Sequence, residues 1–60
     1  MSKRAVDALF EGLFLLTDIR CMLRETAPHH ALDEHQQEQV RALLDQLEGK
    51  LAIIRQELAP

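Results

Sequence analysis

The chain has 60 residues, a single cysteine and a net charge of −3. A domain this short buries only about 60% of its unfolded surface, and one core below roughly 70–80 residues rarely supplies more than about 3–5 kcal/mol without a staple or a partner. An internal disulfide is excluded because Cys21 has no mate, and the acidic balance excludes a general attraction to nucleic acid or anionic membranes.

Leu, Ala, Glu, Gln and Arg dominate, glycine and proline are scarce, and no run of alternating β-branched residues occurs. These are good helix formers, so the sequence predicts an all-α fold. Lys3 and Arg4 precede an apolar stretch in the manner of a signal peptide, but Asp7 and Glu11 interrupt it and no small-residue cleavage site follows. The segment therefore reads as mature structure. No stretch suits a membrane span, and the cytoplasm, of a bacterium by the style of the chain, is the expected location.

The first helix is predicted over about residues 3–26, capped by Ser2. Val6, Leu9, Leu13, Leu16 and Leu23 recur at alternating intervals of three and four, with Arg20 in one slot. That is the a/d seam of a coiled coil. Pro28 disfavours helical geometry at Ala27 and stops the helix just before it. Residues 27–33 form the connection. Asp33 then offers an N-cap, and Gln36 completes a capping box. The second helix is predicted over about 34–58, with a seam of Gln37, Val40, Leu44, Leu47, Leu51, Ile54 and Leu58.

Folding the helices back on that short connection interlocks the seams wherever paired residue numbers add to 60. Val6 meets Ile54, Leu9 meets Leu51, Leu13 meets Leu47 and Leu16 meets Leu44. Arg20 then meets Val40, and Leu23 meets Gln37. The expected fold is one antiparallel helical hairpin of residues 1–60, each helix about 35 Å long, with Val6, Leu9, Leu13, Leu16, Leu23, Val40, Leu44, Leu47, Leu51 and Ile54 as its core.

Helix 1 has apolar surface left over. One flank carries Ala8, Gly12, Leu15, Ile19 and Met22, and another carries Phe10, Phe14 and Cys21. Only Asp7, Glu11, Asp18 and Glu25 form a narrow acidic stripe for water. A lone hairpin would expose more apolar surface than soluble monomers show. The expected remedy is a homodimeric four-helix bundle, with Phe10, Phe14, Leu15, Ile19, Met22, Ala8 and Gly12 at the interface. A tetramer or a groove for another protein are the alternatives.

Chemistry is not legible. His29, His30 and His35 straddle a loop and a helix start without the spacing of a zinc site, so no metal or other cofactor is expected. Cys21 lacks a base and reads as a small buried apolar residue. No phosphate loop occurs, and no enzyme is expected. Arg20 and Arg24 stand one turn apart and approach Glu34 and Glu38 in the expected register, where ion pairs would close the loop end. With Arg41 and the loop histidines they otherwise form an anion or partner patch.

In its length, its two helices and its expected dimeric bundle, the chain resembles the plasmid RNA-loop-binding hairpins of the Rop type. That resemblance implies an RNA- or DNA-associated regulator. No functional motif matches residue by residue, and helix 1 carries an acidic stripe where RNA binding calls for cations and a stacking aromatic. The helical-hairpin co-chaperones of bacterial secretion systems are similar in shape and imply an obligate subunit of a larger complex. The expectation from the residues themselves is a small non-catalytic interaction or adaptor protein that self-associates through helix 1.

Overall fold

A computed structural model describes residues 2–60. Helix α1 spans Lys3–Glu25 and helix α2 spans Glu34–Leu58; no strand occurs among the described residues. The two lie side by side as an antiparallel hairpin of 40 × 16 × 14 Å.

Local chemistry sets each end. Ser2 Oγ accepts from the Ala5 N–H at 3.1 Å and caps α1. At the other end Thr26 Oγ1 donates to the Met22 carbonyl at 3.2 Å. His30, with φ 56°, turns the chain back, and its Nδ1 lies 2.8 Å from the Leu23 carbonyl oxygen, on which it donates. This side chain thus serves one of the carbonyls that α1 leaves without an intrahelical partner. The expected capping box is present at the start of α2. Asp33 Oδ1 accepts from the Gln36 N–H at 2.8 Å, and Gln36 Oε1 accepts from the Asp33 N–H at 3.0 Å.

The axial register is the expected one. Ser2 Oγ donates to Glu57 Oε1 at 3.2 Å, Arg4 Nη1 donates to Gln56 Oε1 at 3.5 Å, and Lys50 Nζ pairs with Glu11. Each of these pairs adds to within one of 60.

The faces are not the expected ones. Ala5 and Ala8, 1% and 3% exposed, and Gly12 are the buried residues of α1. Leu15, Ile19 and Met22 continue that row half-buried, and Gln36, Val40, Leu43, Leu47, Lys50, Ile54 and Glu57 face it from α2. Ala8, Gly12, Leu15, Ile19 and Met22 were expected on an outer interface; they form the hairpin seam instead. The expected core is corrected in the same way. Leu9, Leu13, Leu16, Leu23, Leu44 and Leu51 are exposed, and Val6, Val40, Leu47 and Ile54 are only half-buried.

Relative to the expected seam, α1 is turned by one residue, or about 100°. The reason is steric. Two helices bury one stripe between them, and a stripe of Ala and Gly lets the backbones approach more closely than a stripe of Leu. A Cβ built on Gly12 would stand 3.4 Å from Leu47 Cδ1 and 4.0 Å from Lys50 Cβ.

Candidate functional site

The turn of α1 sends the leucines to one side of the hairpin. In two antiparallel right-handed helices, rows displaced by one residue in the same numbering sense from the seam share a side. The residues just before the seam positions illustrate this. Asp7, Glu11 and Asp18 of α1 line shallow grooves together with Gln39, Gln46 and Ile53 of α2. The residues just after the seam therefore share the opposite side: Val6, Leu9, Leu13, Leu16 and Leu23 from α1, and Leu44, Leu51 and Leu58 from α2. A shallow depression lined by Leu51, Ile54 and Leu58 together with Glu48 and Arg55 lies at its α2 edge.

This leucine face is continuous and large. Among the described residues no large side chain is fully buried, and α2 has no buried residue at all. The solvent-accessible surface is 4765 Å². A compact monomer of 6.9 kDa exposes about 4000 Å². The excess of about 800 Å² equals the share one partner contributes to a standard protein–protein interface.

The face is polarised along its length. From the chain termini to Leu16 and Leu44 its large side chains are leucines, with Glu48 and Arg55 among those of α2. Toward the loop it carries Arg20, with Arg24 and Arg41 at its rims. The expected ion pairs from Arg20 and Arg24 to α2 do not form; among the described residues the ion pairs are Glu11–Lys50 and Arg4–Glu57. Gln37 is exposed, and its Nε2 donates to the Leu32 carbonyl at 3.0 Å.

Phe10 and Phe14, 55% and 68% exposed, lie on the back of α1, away from α2, with Phe14 toward the acidic side. Phe14 borders a groove with Glu11, Leu15, Asp18 and Gln46. Cys21, expected to be buried, is exposed on this same back edge. It sits beside Arg24 and Glu25.

Among the described residues no three His, Cys, Asp or Glu side chains are placed to hold a metal ion. His30 is spent on the end of α1, and His29 and His35 are exposed. Among those residues, too, no helix is long and apolar enough to cross a membrane.

Sequence periodicity found the leucine face but assigned it to the inside of one hairpin. It missed Ala5, Leu43 and Lys50 as seam residues. The signal for the first was available: Ala5, Ala8 and Gly12 are three small residues at intervals of three and four. No protein-family model, curated protein or solved structure matches the chain.

Proposed function

We propose that this chain is a non-catalytic interaction protein that self-associates through its leucine face into a homodimeric four-helix bundle. The observation that carries the reading is that face: Leu9, Leu13, Leu16, Leu44, Leu51 and Leu58, all more than 40% exposed, on one side of a hairpin in which, among the described residues, only two alanines and a glycine are buried. Burial of apolar surface is the main favourable term in folding, and this hairpin obtains little of it alone. A second copy supplies a surface of the same length and the same pattern of leucines. In that bundle the rows predicted as a/d seams become the inner layers, contributed by four helices instead of two.

The exposed single thiol suits a reducing compartment, and the cytoplasm is the setting we propose.

Light scattering after size exclusion, across a range of concentrations, tests the reading. The expected mass is twice 6.9 kDa. A helical monomer at every concentration overturns it, and the leucine face then belongs to a different protein in an obligate heteromeric complex.

A further inference from the structure

The self-association proposed above fixes the partner but not its direction. We infer that the two hairpins pack antiparallel and staggered, with the two-fold axis level with the gap between Leu9 and Leu13 of α1 and between Leu47 and Leu51 of α2. Both levels coincide in the hairpin, since the Glu11–Lys50 ion pair spans it there. A single axis therefore serves both helices.

In this arrangement α1 lies on the partner's α1 and α2 on the partner's α2. Val6 pairs with the second copy's Leu16, and Leu9 with its Leu13. Along α2, Val40 pairs with Leu58, Leu44 with Ile54, and Leu47 with Leu51. Each of these pairs is apolar, and Glu48 and Arg55 flank the pairs along α2. Arg20 comes level with the end of α1 in the second copy and keeps its guanidinium in water.

Two other arrangements place the same face inside. A parallel pair sets Arg20 on Val40 and Leu23 on Gln37, and leaves Leu58, 52% exposed, with no apolar partner. An antiparallel pair without stagger sets Arg20 on Leu9 and Gln37 on Ile54. Each buries two arginines against apolar side chains, and a buried charge without a partner is strongly unfavourable. Of the leucine face the staggered pair leaves out only Leu23, which at 36% is the least exposed of its exposed leucines. Its covered length runs from the chain termini to the level of Arg20, and both loops project beyond the bundle at opposite ends.

The loop tips report the arrangement. A nitroxide on His29→Cys, in a Cys21→Ser background, gives the tip-to-tip distance by double electron–electron resonance. With a rise of 1.5 Å per residue, the staggered pair places the tips about 50 Å apart. A separation of about 40 Å, the pair without stagger, or one under about 20 Å, the parallel pair, overturns the inference while leaving self-association standing. No dipolar signal between copies, in a sample whose circular dichroism remains helical, overturns self-association and this inference with it.

Discussion

Gly12 of α1 rests against Leu47 of α2, where an added Cβ would stand 3.4 Å from Leu47 Cδ1. This contact fixes the spacing of the helices near their middle, and it divides small substitutions from large ones. Gly12→Ala adds a methyl group that Leu47 absorbs by a shift of a few tenths of an ångström, and it gains about 1 kcal/mol of helix propensity. The melting temperature of that variant is expected to hold or rise. Gly12→Leu has no such room and forces the helices apart; a fall in melting temperature of more than about 10 °C is expected. Equal melting temperatures for the two variants would show that the seam does not run through Gly12.

Leu13 and Phe14 are neighbours in sequence with different fates. Leu13 sits on the leucine face, and Phe14 on the far edge. Leu13→Asp places two charges in adjoining central layers of the proposed bundle, where each lacks a partner. It is expected to halve the solution mass and to reduce helicity, because among the described residues the hairpin fully buries no large side chain of its own. Phe14→Asp is expected to leave the mass unchanged. The reverse pattern in light scattering would move the interface to the phenylalanine edge.

Asp33 and Gln36 satisfy each other's backbone N–H groups at the start of α2. Asp33→Ala removes the side chain that serves Gln36 and is expected to cost about 1 kcal/mol. In a domain of this size that lowers the melting temperature by about 4–8 °C. Asp33→Ser, which can still cap, is expected to recover most of the difference. Thermal denaturation at fixed protein concentration checks both, since the stability of a dimer depends on concentration.

Arg20, Arg24 and Arg41 line the loop end of the leucine face and make no ion pairs among the described residues. Against them stand a net charge of −3 and the stripe of Asp7, Glu11, Asp18 and Glu25. The expectation is no retardation of a stem-loop RNA or of duplex DNA at 0.1 M salt in a gel-shift experiment. Retardation that vanishes as salt rises and is lost on Arg20→Ala would establish a phosphate-contacting patch.

Much of the architecture is legible in the residues. Ser2, Asp33 and Gln36 announce helix starts because their side chains replace missing backbone partners locally. Pro28 announces the stop through its own ring. The register is also legible: the connection is short, so the helices must return at once, and their periodicities allow few axial alignments. The pairs Arg4–Gln56 and Glu11–Lys50 fall where that reasoning puts them.

What the linear pattern does not contain is the rotation of each helix about its own axis. Helix α1 offers three apolar flanks, and hydrophobicity alone ranks the leucine flank first for the inside. The folded hairpin puts Ala5, Ala8 and Gly12 there instead. Closeness of backbone approach is a property of two helices together, set by the smallest side chains in the contact and by what covers the larger ones. The sequence by itself determined the two helices, their ends and their axial alignment, all products of local bonding and chain connectivity. The tertiary structure decided which flank is seam and which is surface, because that choice depends on the steric fit of one helix against the other.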